Sequence, residues 1–187
     1  MGMPSRQAEW TADEVLALPD DGNRYEVIDG ALLVTPSPNP RHQRAVGALY
    51  AGLREYLRGT QIGFVHFSPA DIRFSDRRLV QPDVFVTPRA GRTAPLAWVE
   101  VRELIMVTEV LSPRTARHDR GSKRRLYQEE GVSEYWIIDV AARLVERWRP
   151  EDDRPEILSE RIEWRPAGAL VPLVLELGAF FDEVYFG

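Results

Sequence analysis

Two short apolar runs, each carrying one carboxylate, constrain this chain more than any other feature. They are residues 81–86, which contain Asp83, and residues 105–111, which contain Glu109. Apolar runs of this length between turn residues are typical of strands that are buried on both faces. A carboxylate in such a strand is costly unless it is paired or holds a metal ion. The two runs therefore predict neighbouring strands whose acids share a cation.

Side-chain alternation fixes the direction of the second acid. Along a strand, Ile105, Val107, Glu109 and Leu111 would lie on one face. Asp83 directly follows a proline, which strands tolerate near their start. We therefore expect both acids to lie within buried strands.

Length and charge set the class of protein. With 187 residues, 44% of them apolar, the chain can build one domain with a substantial core but not two large ones. We expect a single domain over residues 1–187, with a loose terminus at residues 1–9. The net charge of −5 argues against a protein that coats nucleic acid through its overall charge, although basic residues cluster between positions 114 and 125.

The chain contains no cysteine, which excludes a disulfide-built fold and a zinc site made of thiolates. No apolar run approaches the ~20 residues that span a bilayer. Residues 1–10 lack the basic-then-apolar pattern of a signal peptide. We therefore expect a soluble, cytoplasmic protein.

Turn residues divide the chain into an ordered series of elements. Asp29-Gly30 between two apolar runs predicts a β-hairpin, and Asn39-Pro40 predicts the capped start of a long helix. This order favours an α/β (α+β) domain in which helices pack on a mixed sheet. The predicted helices cover residues 12–18, 40–57, 115–130 and 178–185. The predicted strands cover residues 24–28, 31–34, 63–67, 70–74, 79–87, 105–111, 135–139 and 144–148, with two or three more between 156 and 177.

The order of elements and acids resembles the PD-(D/E)xK nuclease superfamily. The core of that superfamily is a helix, three strands, a helix and a further strand, with acidic ligands in the second and third strands. Asp83 within Gln81-Pro82-Asp83 matches the first acid, and Glu109 within Thr108-Glu109-Val110 matches the second. The resemblance implies a restriction-endonuclease-like core to which this chain adds an N-terminal hairpin and extra C-terminal strands.

Six short motifs occur in a fixed order, each of them weak alone. They are Tyr25-Glu26-Val27-Ile28-Asp29-Gly30, His42-Gln43, Val80-Gln81-Pro82-Asp83, Glu109-Val110-Leu111-Ser112-Pro113-Arg114-Thr115, Asp119-Arg120-Gly121-Ser122-Lys123 and Gly131-Val132-Ser133-Glu134-Tyr135-Trp136-Ile137-Ile138-Asp139. Together they resemble a bacterial family of restriction-endonuclease-like proteins, called Uma-two-like and formerly a domain of unknown function. The similarity extends from about residue 24 to residue 149.

One position departs from the superfamily pattern. The lysine expected two residues after the glutamate is Leu111 here, and the Uma-two-like family carries a lysine in the following helix, which is Lys123. Leu126 and Tyr127 share the helix face of Lys123. Because this apolar pair turns the face toward the sheet, we expect Lys123 to approach Glu109 as a catalytic lysine. The alternative is a lysine whose stem covers apolar surface while its ammonium reaches water.

The resemblance implies a metal-dependent hydrolase of DNA phosphodiester bonds. Such hydrolysis needs a nucleophilic water and stabilisation of charge on the phosphate, which one or two hard cations supply. Mg²⁺ binds oxygen ligands and needs only one or two carboxylates from the protein. Asp83 and Glu109 fit this role for Mg²⁺ or Mn²⁺, and the analogy adds the carbonyl of Val110. The alternative is that arginines or backbone N–H groups satisfy both acids.

Two further residues are candidates for the catalytic site. The family keeps an acid at Glu26, which makes it a possible further ligand; the alternative is a salt bridge to Arg24 or Arg44. His42 lies on the buried face of the long helix, where it could carry a proton or contact phosphate. The alternative for His42 is a hydrogen-bonded histidine at the rim of the core.

Substrate contacts are expected from Gln43, Arg114 and Arg120. Arginines can follow a phosphate backbone and provide affinity without reading sequence. The alternative is a solvated helix face in which the arginines pair with neighbouring acids such as Asp119.

The sequence therefore favours a metal-dependent endonuclease that uses Mg²⁺ or Mn²⁺ and has DNA as its partner. Since one such core cuts one strand, we expect a homodimer, paired through the C-terminal strands and the hairpin that contains Trp136 and Trp148. We expect these two tryptophans to pack into the core or into an interface. The rival interpretation is an inactive nuclease fold that binds nucleic acid or a protein. The acidic net charge favours the rival, whereas the set of Asp83, Glu109 and Lys123 favours the enzyme.

Overall fold

The structure is a computed structural model that describes residues 9–89 and 93–187. Its strands, in chain order, are β1 (Arg24–Ile28), β2 (Ala31–Thr35), β3 (Gly63–Phe67), β4 (Ile72–Ser75), β5 (Arg78–Val80), β6 (Val84–Pro88), β7 (Met106–Val110), β8 (Tyr135–Asp139), β9 (Leu144–Trp148), β10 (Glu156–Leu158), β11 (Arg161–Trp164) and β12 (Leu173–Glu176). Its α-helices are α1 (Ala12–Leu16), α2 (Pro40–Thr60), α3 (Ala116–His118), α4 (Arg124–Glu129) and α5 (Leu177–Phe186), with a π-helical turn, Asp119–Lys123, between α3 and α4.

A six-stranded sheet in the order β10-β9-β8-β7-β6-β3 forms the centre of the fold. Strands β7 and β8 run parallel, whereas the other neighbouring strands of this sheet run antiparallel. A parallel pair requires a crossover connection, and the helical segment from α3 to α4 supplies it. The predicted α+β fold with a mixed sheet is therefore confirmed.

The two faces of the central sheet pack against different partners. On one face, Val86 and Met106 join a core with α2, α5 and the β11–β12 hairpin. On the other face, Phe85 and Val107 pack with α4 and with Val80 of a second, four-stranded sheet in the order β2-β1-β5-β4. Alternation along the strands thus gives the central sheet two buried faces.

The N-terminal hairpin forms as its turn residues predict. Asp29 and Gly30 both have left-handed backbone conformations, with φ of 52° and 84°, as a two-residue primed turn requires. Strand β1 also pairs with β5. The hairpin thereby brings Arg24 and Glu26 into hydrogen-bonding contact with the backbone of Gln81.

Helix α2 begins where the sequence predicts and extends beyond its predicted end. The side chain of Asn39 accepts a hydrogen bond from the backbone N–H of His42 (3.0 Å) and caps the helix. His42 is buried in the first turn of α2. Neither α2 nor any other helix in the described ranges has the length and apolar composition needed to cross a membrane.

The π-helical turn places two charged side chains inside the protein. Asp119 and Lys123, at its two ends, are both buried. The phenol of Tyr135 in β8 donates a hydrogen bond to the backbone carbonyl of Asp119 (3.0 Å) and holds the turn against the central sheet. Single π-helical turns inside α-helices occur frequently at functional sites.

The prediction of one strand over residues 79–87 is wrong. Strand β5 belongs to the four-stranded sheet and β6 to the central sheet. Pro82 has no N–H to donate to a strand partner, and the N–H of Gln81 donates to a side-chain oxygen of Glu26 instead (2.8 Å). Asp83 therefore lies in the connection between the two sheets rather than inside a strand.

Two smaller predictions are also wrong. Ile105, predicted to share a face with Val107 and Leu111, precedes β7 and packs into the core on the opposite face of the sheet. The hairpin of Trp136 and Trp148, expected to offer a pairing surface, presents neither ring, because both are buried in the cores on the two faces of the central sheet. Of the two expectations for these tryptophans, the core is the one that the structure bears out. Val107 and Leu111 pack into the same core, as alternation predicts.

Candidate functional site

A cavity of about 380 Å³ opens beside the C-terminal end of β7. Four parts of the chain surround it: the β1–β2 hairpin with the loop after it, the start of α2, the connection before β6, and the segment from β7 to the π-helical turn. The residues that line it are Arg24, Glu26, Thr35, Pro36, Ser37, Pro38, Asn39, His42, Asp83, Glu109, Val110, Ser112, Pro113, Arg114, Thr115, Asp119 and Lys123. The fold thus gathers acids that are far apart in the sequence.

Asp83 is a buried carboxylate with both oxygens held. Oδ1 accepts a hydrogen bond from the guanidinium of Arg24 (2.8 Å), and Oδ2 accepts one from the N–H of Val110 (2.8 Å) and lies 2.9 Å from Nε2 of His42. Burial alone would raise the pKa of this carboxyl. The hydrogen bonds and the attraction of His42 and Arg24, with the Val110 N–H, instead hold the Asp83 pKa well below its ordinary value.

The ammonium of Lys123 lies among the other acids. Nζ is 2.9 Å from Oε1 of Glu109, 3.0 Å from Oε1 of Glu26 and 3.9 Å from Oδ1 of Asp119. The phenol of Tyr127 donates a further hydrogen bond to Oε1 of Glu109 (3.0 Å). Because Lys123 is only 2% exposed, its ammonium does not reach out to water. The expected approach of Lys123 to Glu109 is present.

Burial and mutual attraction shift the pKa values of Lys123 and the acids around it. Burial would lower the pKa of Lys123, but Glu109, Glu26 and Asp119 hold it above its ordinary value. Burial raises the pKa of Glu109 well above its ordinary value; Lys123 opposes this rise and the neighbouring carboxylates add to it. The pKa of Asp119 is raised for the same reasons. Three carboxyl groups therefore face one ammonium, and their raised pKa values reflect the cost of ionising all of them together.

The donor set fits a hard divalent cation. Oε2 of Glu26 and both carboxylate oxygens of Asp119 are buried without a hydrogen-bond partner. Asp83 pairs with Arg24 and His42, while three carboxylates share Lys123. Within the described ranges, no three His, Asp or Glu side chains already surround one point as ligands. Carboxylate oxygens in excess over cations are nevertheless the donors that Mg²⁺ or Mn²⁺ prefers.

The sequence-predicted candidates divide into two groups. Arg120 is turned away from the cavity, with its Nε 2.6 Å from Glu146 and its Nη2 3.3 Å from Asp139. Gln43 is exposed on α2 and does not line the cavity either. The candidates that do line it are Asp83, Glu109, Val110, Glu26, His42, Lys123 and, exposed at its rim, Arg114.

The salt bridge considered for Glu26 is not formed with either arginine. Arg24 holds Asp83, and Arg44 donates to the backbone carbonyls of Val184 (2.9 Å) and Glu183 (2.6 Å) in α5. Glu26 pairs instead with Lys123 of the π-helical turn (3.0 Å).

Sequence reasoning missed Arg24, Asp119 and Tyr127 as parts of this site. Asp119 precedes Lys123 by four residues, a spacing that places both on one helix face and could have revealed it. Composition also supports Lys123, which was predicted: it is the only lysine among the 24 lysines and arginines of the chain. One retained lysine among arginines indicates a position that needs a compact ammonium rather than a planar guanidinium.

Comparison with known proteins agrees with the fold. A crystal structure described as "a putative nuclease belonging to DUF820 from Anabaena variabilis ATCC 29413" matches with a TM-score of 0.73 and 21% identity, over 93% of this chain and 98% of that one. The class that this neighbour and the family match below together support is a nuclease of the restriction-endonuclease-like type. The Uma2 family, described as "Putative restriction endonuclease", matches residues 12–179, and the chain belongs to this family. No curated protein matches the chain.

Proposed function

We propose that the protein is a metal-dependent endonuclease that hydrolyses DNA phosphodiester bonds. The observation that carries this proposal is the contact between Lys123 and Glu109 (2.9 Å) in a cavity that also contains Asp83. These residues come from a connection, a strand and a helical turn. A lysine beside two acids at the edge of a mixed sheet is the arrangement that the nuclease resemblance implies.

Asp83 and Glu109 would hold Mg²⁺ or Mn²⁺, with the carbonyl of Val110 as a further donor. When bound, such a cation supplies charge stabilisation on the phosphate and a water of lowered pKa. Arg24 and His42 fix the orientation of Asp83 through hydrogen bonds of 2.8 and 2.9 Å. The low pKa of Asp83 keeps this carboxylate ionised and ready to bind a cation at neutral pH.

The remaining side chains have roles that follow from their positions. Lys123 supplies positive charge for the attacking water or for the oxygens of the phosphate. His42 is a proton carrier beside Asp83, and its Nδ1 is buried without a partner. Arg114 is exposed at the rim, where its guanidinium can contact the phosphate of an incoming strand.

The proposal is tested by assaying plasmid nicking with Mn²⁺. Lys123→Ala should lose at least ~100-fold in rate, the scale expected for one electrostatic or acid–base group. Adding Leu111→Lys should recover part of the rate, because Leu111 and Glu109 are on the same side of the sheet. Asp83→Asn should be similarly inactive, and thermal melting establishes that each variant is folded.

Arg125→Ala is the matched control, since Arg125 is exposed two residues after Lys123 and does not line the cavity. It should keep the wild-type rate. Full activity in folded Lys123→Ala, or cleavage that proceeds equally well in a chelator, would contradict the proposal. Binding of DNA without any cleavage would favour the inactive binding module instead.

A further inference from the structure

We propose that Asp119, together with Glu26 and Glu109, forms a second divalent-cation position, which the ammonium of Lys123 occupies in this structure. This inference rests on the proposed function, in which a first cation lies between Asp83 and Glu109. The inference adds Asp119 as a metal ligand, a residue that lies outside the two motifs that contain Asp83 and Glu109. It also gives Lys123 a second state, in which the ammonium is released from the acids.

Asp119 is the residue whose surroundings require an explanation. It is 1% exposed, it lines the cavity, and neither carboxylate oxygen has a partner at full hydrogen-bonding geometry, although the Thr115 side chain is near enough to lower its pKa. Its nearest cation, Nζ of Lys123, is 3.9 Å away and lies closer to two other acids. A buried carboxylate whose oxygens are not satisfied is costly and requires an explanation, which a bound ion would supply.

Glu26 provides the matching donor from the opposite sheet. Its Oε1 is shared between Lys123 (3.0 Å) and the N–H of Gln81 (2.8 Å), whereas its Oε2 is buried without a partner. Glu26 and Asp119 approach Lys123 from two separate parts of the fold, strand β1 and the π-helical turn. Unused oxygens therefore remain on both of these acids.

The helical turn is built to aim Asp119 inward. Its backbone is π-helical over Asp119–Lys123, and the hydrogen bond from the phenol of Tyr135 to the Asp119 carbonyl fixes the turn against β8 (3.0 Å). An ammonium with three carboxylate neighbours marks a point of strongly negative potential. A divalent cation offers twice the charge at that point and can use the oxygens that the ammonium leaves without partners.

Competition between the cation and the ammonium gives a direct spectroscopic test. Lys123 is the only lysine in the chain, so protein grown with ¹³C-ε-labelled lysine gives one lysine signal in an NMR spectrum. Titration with Mg²⁺, which is diamagnetic, should shift this signal in a saturable manner as the ammonium leaves the acids. Calorimetry with Mn²⁺ should count two ions for each chain.

The variants separate the two positions. Asp119→Asn should need at least ~10-fold more Mg²⁺ to shift the lysine signal, which is the size of loss expected when the surroundings of a metal ion are altered. The same variant should still bind one Mn²⁺. Asp83→Asn should lose the first ion but keep the lysine shift. Asp182→Asn, a control on α5 whose carboxylate lies outside the cavity and pairs with Arg143, should behave as wild type. Asp119→Asn is expected to fold, because it removes a buried charge without a hydrogen bond.

Three outcomes would overturn the inference. One is a wild-type lysine signal that stays fixed while Mn²⁺ binds, which needs no variant at all. Another is an Asp119→Asn protein with the same Mg²⁺ midpoint as wild type. In both cases, the proposed function would still be supported if the wild type binds one ion and the Asp83→Asn protein does not. Failure of the wild type to bind any divalent cation would overturn both proposals together.

Discussion

Asp83 and Glu109 show how the same chemical group acquires opposite properties within one cavity. Both carboxylates are buried, but Asp83 has an arginine, a histidine and a backbone N–H directed at it. Glu109 shares one ammonium with two other acids. The pKa of Asp83 is therefore lowered and that of Glu109 is raised. Asp83 is therefore held in its ionised form, whereas Glu109 would be stabilised most by the proposed cation.

His66 should make the stability of the protein depend on pH. Its ring stacks on Phe85 and meets the edge of Trp98, and its Nε2 lies 3.0 Å from the hydroxyl of Thr87. Burial lowers the pKa of His66 below the ordinary value of 6.5. A lowered pKa means that the unfolded chain takes up the proton first, so this stability is complete above pH 6.5 and is lost as the pH falls toward the folded-state value.

The measurement is the urea unfolding free energy of wild type and His66→Phe at several pH values between 7.5 and 5. The variant should lose less stability over this interval, because phenylalanine keeps the ring stacking and removes the titration. His118→Phe is the control, since His118 is exposed and its replacement should leave the pH dependence unchanged. Equal pH dependence in wild type and His66→Phe would rule out this role for His66.

The contacts of Lys123 and Arg24 show which parts of the site a residue pattern can predict. Helix spacing with Leu126 and Tyr127 predicted that Lys123 faces the sheet, and the structure places it against Glu109. The contact between Arg24 and Asp83 could not be predicted in the same way. It depends on how a hairpin and a distant connection meet, which no local spacing encodes. Residue periodicity therefore predicts which face of an element is buried, but not which charged side chains from distant parts of the chain meet there.

Among the secondary-structure elements, the β1–β2 hairpin is the part that most directly builds the site. Its turn and strand spacing were correctly predicted, because Asp-Gly between apolar runs is a local signal. The break at Pro82 was missed, because the short apolar runs at residues 79–80 and 84–86 on either side of Gln81-Pro82-Asp83 were joined into one strand. What separates the two strands is the assembly of two sheets, to which the hairpin contributes Glu26 as a partner for the Gln81 N–H.

Gly30→Ala should destabilise the protein through this hairpin. Gly30 has a φ of 84°, and a Cβ there would lie 2.8 Å from the guanidinium of Arg77. The left-handed backbone costs an L-residue about 1–2 kcal/mol, and we expect a loss of that size in the urea unfolding free energy. Because β1 carries Arg24 and Glu26, Mn²⁺ binding should weaken as well.

Gly47→Ala provides the matched control for this prediction. Gly47 is exposed within α2, and a Cβ there would meet nothing within 4 Å. Alanine in a helix interior should stabilise the protein by roughly 0.5–1 kcal/mol relative to glycine. The two Gly→Ala changes should therefore act in opposite directions. A stabilised Gly30→Ala protein would show that the turn tolerates a side chain.

The arrangement of the complete fold leaves an apolar surface at its C-terminal part. Leu170, Val171 and Val174 are 92%, 62% and 45% exposed on the loop before β12 and on β12 itself. Strand β10 lies at the edge of the central sheet. The tryptophans that were expected to contribute are buried, so the remaining candidate surface for pairing is this C-terminal one. Apolar side chains grouped on a surface favour association.

We expect the protein to form a homodimer at micromolar concentration through this surface. A duplex break is simplest when two nuclease cores act together, and a two-fold interface uses the same patch on both copies. Light scattering should report about twice the 21.4 kDa mass of the chain.

Leu170→Glu should shift the mass to that of one chain and slow double-strand breaks more than single-strand nicks. Leu96→Glu, a change at a leucine that is 95% exposed in the loop before β7, should leave the dimer intact. A mass of one chain for the wild-type protein at high concentration would refute the dimer and leave the chemistry of each cavity untouched.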